Sequence, residues 1–246
     1  MSERIRLDLA LEQRGLVPSR ARARDAILRG TVTINGVTAD KPNRMVGHDD
    51  KLALSDPAAN YVSRAALKLV AGLDAGRIDA NGKTCLDVGA STGGFTQVLM
   101  ERGARRIYAV DVGHEQFHER LKGSDRVVSM EGVNARDLDA EVFPEPIDLL
   151  VSDVSFVSVT KVLAAPMALC APSADAVILF KPQFEVGRQN VGKGGIVSDQ
   201  AAIEAALAEV IAFMGQNGFV HRHSVTSPIA GGDGNVETVL VFARTP

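Results

Sequence analysis

The chain has 246 residues, 46% hydrophobic and 23% charged, which suits one large folded domain plus a small appendix and excludes a disordered chain. Its only cysteines, Cys85 and Cys170, lie in apolar stretches; they fit a reducing cytosol and offer neither a disulfide framework nor a metal-ligand set. The charged start MSERIRLDLALEQRG has no signal-peptide core, and the longest uncharged stretch, 162–174, holds two prolines and is too short for a bilayer. A soluble, cytoplasmic protein without a membrane partner is expected.

Net charge is −3, yet residues 1–30 carry +3: arginines at 4, 6, 14, 20, 22, 24 and 29 stand against Glu3, Asp8, Glu12 and Asp25. A basic head on an acidic body suggests a local polyanion-binding face, with Arg4, Arg6, Arg20, Arg22 and Arg24 as its candidate contacts. Charge alone favours the plainer reading, a solvated charged helix. A short helix is expected over 5–14, stopped by Gly15, and a second over 20–29, capped by Ser19 and ended by Gly30. Ala23, Ala26 and Ile27 would form its buried side. Two β-prone runs, 31–34 and 37–38, flank Asn35-Gly36, a strong hairpin signal, and 51–54 offers another strand. This α+β unit closes near residue 55, and 56–62 reads as a linker.

From Ser63, expected to cap a helix into LKLVAGL, the pattern changes. Apolar strand candidates at 84–88, 106–110, 126–130, 147–152, 176–180 and 238–242 alternate with helices, notably 94–102 and 199–214. The alternation predicts an α/β domain over 63–246, Rossmann-like, with a doubly wound and mostly parallel sheet.

A strand, a glycine-rich turn and a helix start are read in Thr84-Cys85-Leu86-Asp87-Val88-Gly89-Ala90-Ser91-Thr92-Gly93-Gly94-Phe95. Glycines admit close backbone approach, and a helix N-terminus presents free N–H groups. The dinucleotide pattern Gly-x-Gly-x-x-Gly would need glycine at 91, where Ser91 stands, so a nicotinamide cofactor is disfavoured. S-adenosylmethionine fits better, with no pyrophosphate to cradle. Asp87 could take its ammonium, Asp111 at the next strand end its ribose hydroxyls, and the Asn134 to Asp137 segment its adenine edge.

Two more strand ends carry charges, Asp153 and Lys181, and so should face the same cleft. Lys68 lies at the domain junction and Glu237 precedes the last strand. The segments YVSRAALKL, GASTGGF, DVSF, KPQFEVG, GKGGIV and GNVE resemble the hemolysin/TlyA family, within the FtsJ-like group of ribose 2′-O-methyltransferases. Residues 1–54 resemble its S4-type RNA-binding domain, through RLDxxLxxRGLxxSRxxAxxxIxxGxVxING. Ala65-Ala66 depart from the glycine that relatives often carry there.

The resemblance covers nearly the whole chain and implies a Lys-Asp-Lys-Glu tetrad at Lys68, Asp153, Lys181 and Glu237, with cytidine ribose in ribosomal RNA, free or in ribosomal subunits, as substrate. Oligomeric state is left open. Because a ribose hydroxyl is a poor nucleophile and a sulfonium methyl is already activated, such an enzyme must mainly align the oxygen and take its proton. A neutral lysine amine can serve. Three other readings compete: a pore-forming hemolysin, which has no membrane segment to support it; a non-catalytic assembly factor; and a pseudouridine synthase, which would leave the glycine loop and Asp111 unexplained.

Overall fold

The computed structural model describes residues 4–231 and 233–244, in two compact units, Met1–Asn60 and Tyr61–Pro246. In the first, β1 (Ile5–Arg6) leads straight into α1 (Leu7–Gln13), and α2 (Arg20–Leu28) follows a loop. Ser19 caps α2 by accepting from the Arg22 backbone N–H. The hairpin of β2 (Val32–Ile34) and β3 (Val37–Thr38) turns through Asn35 and Gly36, whose φ values of 52° and 83° give the paired left-handed residues this turn requires. β4 (Met45–Val46), unforeseen in the sequence, pairs with β1, and β5 (Leu52–Leu54) pairs with β2. Ala23, Ala26 and Ile27 are fully buried, packing with Leu7, Leu11 and Val32. Residues 56–58, expected in a linker, are instead tied to α2. Arg29 donates to both Asp56 carboxylate oxygens, at 2.7 and 2.6 Å, and Arg22 Nη2 donates to the Ala58 carbonyl at 3.1 Å.

The second unit is built on a seven-stranded sheet. It comprises β6 (Thr84–Val88), β7 (Arg106–Asp111), β8 (Val127–Glu131), β9 (Ile147–Ser152), β10 (Cys170–Phe180), β11 (Phe219–Thr226) and β12 (Thr238–Arg244). Their spatial order is β8-β7-β6-β9-β10-β12-β11. The first five run parallel; β12 is antiparallel to β10, and β11 to β12. The edge strand β11 was not read from the sequence, because FVHRHSVT lacks an apolar run.

Strand periodicity sorts the side chains onto two faces. Cys85, Leu149, Val151, Val177, Leu179 and Val239 meet α3 (Ala66–Gly76) and α4 (Gly94–Glu101). Leu86, Leu150, Ile178, Phe180 and Phe242 lie on the other face, packed with Met167 of α6 (Ala164–Ala168) and with Val210 and Met214 of α8 (Gln200–Gln216). Short helices α5 (Glu119–Lys122) and α7 (Pro182–Glu185) complete the unit. Ser63 stands ahead of α3 and accepts from the Ala65 N–H, while Ala65 itself occupies the cap position.

The chain crosses from one side of β6 to the other between β8 and β9, so the carboxyl ends of β6 and β9 border a topological switch point, where ligands bind in such folds. Helix α3 presses close to the sheet at Gly72, where an added Cβ would lie 2.5 Å from Val177 and 2.8 Å from Val239. Lys68 is one turn away. Gly72→Val is therefore expected to cost about 1–3 kcal/mol through overpacking, lowering the melting temperature by roughly 2–12 °C. A calorimetric melt equal to that of the parent would mean α3 has room to move.

Candidate active site

Two clusters meet at the switch point. The first is a cleft of ≈ 520 Å³ beyond β6 and β7, within the range of small-molecule sites. At its floor Gly89 has φ 85°, and an added Cβ would stand 3.0 Å from the Val154 backbone nitrogen, so only glycine lets this turn lie against the chain leaving β9. Asp111 lines the cleft. Its two oxygens accept from the backbone N–H groups of Ser91 and Gly113, each at 2.7 Å, which fixes the carboxylate while leaving each oxygen a further lone pair. Ser91, Asn134, Val112, Gln116 and Arg136 also line it. The side chain of Asn134 caps the next turn, accepting from the Arg136 N–H at 3.1 Å.

These residues suit S-adenosylmethionine. A strand-end acid anchored for a diol, apolar walls at Val110 and Val133, and a close-packed glycine turn coexist in one cavity. Among the described residues no group of three or more His, Cys, Asp or Glu side chains is arranged to hold a metal ion.

Several residues expected at the cofactor do not line this cleft. Asp87 is fully buried and does not line the cleft; its position in β6 turns it toward α4, where its Oδ2 accepts from Thr96 Oγ1 at 2.6 Å. It is two residues before the turn, so it follows the strand's alternation rather than crowning the strand end. Phe95 is 2% exposed and belongs to the α3–α4 core, and Ala90 packs with Phe117. At Gly93 and Gly94 an added Cβ would meet Leu121 and Ser63, so both glycines serve helix packing. Thr92 accepts from the His118 N–H through its carbonyl, and exposed Asp137 closes a short turn.

Burial pushes the Asp87 carboxyl up to about 7, with Asp153 adding to it, although Thr96 donates to the anion. An acid whose folded pKa is raised binds a proton more tightly folded than unfolded, so its contribution is present below about pH 4 and is lost as pH rises toward 7. Asp87→Asn is neutral throughout. It is expected to flatten the fall in stability between pH 4 and 7, a difference of order 1–4 kcal/mol in urea melts across that range. Parallel stability–pH curves for variant and parent would show that Asp87 is ionised in the fold.

The second cluster gathers four charged side chains from distant segments. Lys68, on the first turn of α3, hydrogen-bonds Glu237 through Nζ and stands 4.0 Å from Asp153 Oδ2. Asp153 Oδ1 lies 2.6 Å from Lys181 Nζ, which also donates to Ser155 Oγ at 2.7 Å and to the Asp153 carbonyl at 3.3 Å. Charges thus alternate along Glu237, Lys68, Asp153 and Lys181. Lys68, Lys181 and Glu237 are 7%, 6% and 2% exposed, while Asp153 also lines the cleft. Two cations balance two anions, which offsets the desolvation that each would suffer alone.

Three contributors lie in the motifs DVSF and GNVE but were given no role from the sequence. Ser155 steadies Lys181. Asn235 is 3% exposed; its side chain accepts from the Val197 N–H at 2.9 Å and donates to the Gly195 carbonyl at 2.8 Å, joining the loop before Glu237 to the GKGGIV segment. Phe156 is 91% exposed at φ 68°, a left-handed conformation costly for an aromatic residue, with its ring 5.3 Å from Phe184.

Comparison with known proteins identifies the architecture. The FtsJ-like methyltransferase family matches residues 61–244, and the S4 domain family matches residues 5–52. The chain belongs to the FtsJ-like methyltransferase family. It is 43% identical over 244 residues to the 16S/23S rRNA (cytidine-2′-O)-methyltransferase TlyA of Mycobacterium tuberculosis, covering 98% of this chain and 90% of that protein. Hemolysin A of Brachyspira hyodysenteriae is 39% identical, covering 97% and 99%. A solved structure from Streptococcus thermophilus superposes with TM-score 0.76 at 35% identity, covering 100% of this chain and 90% of that one. As for the hemolysin name, no described helix is long and apolar enough to cross a membrane. This FtsJ-like chain is a methyltransferase with an S4 domain at its N-terminus.

Proposed function

We propose that the chain transfers the methyl group of S-adenosylmethionine to the ribose 2′-hydroxyl of a cytidine in ribosomal RNA. The observation that carries the reading is the double position of Asp153, which lines the cofactor-sized cleft and sits between Lys68 and Lys181. A hydroxyl brought to the cleft mouth beside Asp153 is within reach of an amine that can take its proton. When bound, S-adenosylmethionine supplies an already electrophilic methyl, so the chain's own work is alignment and proton removal.

In this reading Asp111 accepts the cofactor's ribose hydroxyls, and Gly89, Ser91 and Asn134 border it. Lys181, in its neutral amine form, takes the proton of the 2′-hydroxyl onto Nζ, Asp153 aims Lys181, and Lys68, held by Glu237, completes the charge pattern. The N-terminal unit, read as an RNA-binding domain over 1–55, supplies affinity through Arg4, Arg6, Arg20 and Arg24. Arg22 belongs to the scaffold more than to the contact face, because it reaches the Ala58 carbonyl. The partner is ribosomal RNA or a ribosomal subunit, which places the reaction in the cytoplasm.

The test is methylation of ribosomal RNA from cells lacking the gene, with labelled S-adenosylmethionine, followed by nucleoside analysis. The expected product is 2′-O-methylcytidine. Label on a base, or none in either ribosomal RNA, would reject the reading.

A further inference from the structure

Asp8, in the first turn of α1, is fully buried, yet both cations bound to it are surface groups. Arg6 donates from Nε to Oδ1 at 3.0 Å and from Nη2 to Oδ2 at 2.9 Å, and Arg20 donates from Nε to Oδ2 at 3.1 Å. Their side chains remain 41% and 48% exposed. The carboxylate is itself fixed, since Oδ1 also accepts from the Leu9 N–H at 3.0 Å. Arg20 spends only Nε on this contact, which leaves both of its terminal nitrogens for another partner; Arg6 keeps Nη1. Helix stability does not ask for arginine at position 20. It is the first residue of α2, where the helix dipole disfavours a cation, and its backbone N–H is already met by Glu12 Oε1 at 3.1 Å. One turn on, exposed Arg24 lines a shallow hollow with Arg20 and Ala21.

We propose that Asp8 is a positioning residue for RNA, holding the guanidinium planes of Arg6 and Arg20 so that their free N–H groups meet phosphates of a structured RNA. This deepens the reading of the N-terminal unit as an RNA-binding domain and rests on it. The Arg6 guanidinium foremost, with Arg20, holds the Asp8 carboxyl down at about 2 against its burial, so the anchor stays charged throughout the neutral range. An arginine fork fixed beforehand surrenders less side-chain freedom on binding, and it presents donors in the plane that suits phosphate.

The inference predicts an effect opposite in sign to simple charge counting. Removing an acid from a surface that binds a polyanion should strengthen binding by Coulomb's law. If Asp8 positions the arginines, Asp8→Asn instead weakens it. The measurement is filter binding of 23S ribosomal RNA transcribed in vitro to the full chain, from low to moderate salt. Asp8→Asn is expected to bind about 5- to 10-fold more weakly and to flatten the log–log salt slope by about 1. In an Arg6→Ala, Arg20→Ala background it should add no further loss, whereas general disruption of the domain would add its own.

Binding equal to or tighter than the parent's overturns the inference. If Asp8→Asn melts the unit, Arg20→Lys decides, because it keeps the charge and gives up the fork. Affinity near that of Arg20→Ala supports positioning, and affinity near the parent's overturns it. Should Arg20→Ala itself bind as the parent does, the RNA reading of the N-terminal unit fails instead.

Discussion

Lys181→Ala is expected to reduce methyl transfer by about 10³-fold or more while leaving S-adenosylmethionine affinity within about twofold of the parent's. Lys181 stands 2.6 Å from Asp153 and 2.7 Å from Ser155 Oγ, at the mouth of the cleft but outside its lining, so its loss removes proton handling and not cofactor contacts. General base chemistry accounts for about 10²–10⁴-fold, and misalignment of Asp153 adds to it. The fold should survive, because Asp153 lines the open cleft, where water can reach it, and retains Lys68 at 4.0 Å. Glu237→Ala is different. It strips Lys68 of its close partner, leaving a buried cation with only that longer contact, so about 3–5 kcal/mol of stability should go with the activity. Single-turnover rates and calorimetry on both variants separate the two cases. A Lys181→Ala variant with near-parental single-turnover rates would remove Lys181 from the chemistry.

Asp111 makes the complementary case. Asp111→Ala should weaken S-adenosylmethionine binding by about 1–3 kcal/mol, the size of lost charge-assisted hydrogen bonds. It should leave the four-residue charge cluster in place. Titration calorimetry at unchanged affinity would move the ribose contact elsewhere in the cleft.

Much of the fold follows from local sequence rules that carry over intact. Strands β6, β7, β9 and β10 have apolar runs because both faces of a parallel sheet are covered, and Ser19 and Asn35-Gly36 mark their cap and turn by chemistry that needs no tertiary context. β11 escapes the same reading because it is an edge strand in which Phe219 alone is buried, so most of its side chains are polar and outward.

The site divides similarly. Asp153 and Lys181 read as strand-end residues of one cleft, whereas Lys68 and Glu237 joined them only through the family resemblance, because elements distant in sequence converge there. Asp87, read as a strand-end residue, lies under the turn because the side-chain alternation of β6 sends it toward α4. Asn235 and Ser155 lay inside the motifs GNVE and DVSF but carried no role there, since an asparagine or serine in a loop gains meaning only from what folds against it.

Phe156→Ala should lower kcat/KM for RNA by about 5- to 150-fold with cofactor affinity and melting temperature unchanged. The residue holds a left-handed conformation that glycine would adopt freely, and it exposes nearly its whole ring beside Asp153 and Ser155. Burial does not repay that arrangement, since among the described residues its ring meets one aromatic partner, Phe184, at 5.3 Å. Strain kept at a cleft mouth is what a recognition element shows, and an aromatic face there offers a stacking surface for a nucleobase turned out of RNA structure. Stacking one base on such a ring is worth about 1–3 kcal/mol, which converts to the range given. Phe156→Tyr keeps the π-face and should retain most of the activity, whereas Phe156→Leu keeps bulk alone and should resemble alanine. If leucine were as active as tyrosine, the ring would be filling space. If alanine lowered the melting temperature by several degrees, Phe156 would belong to the packing around Phe184 and the stacking role would fall.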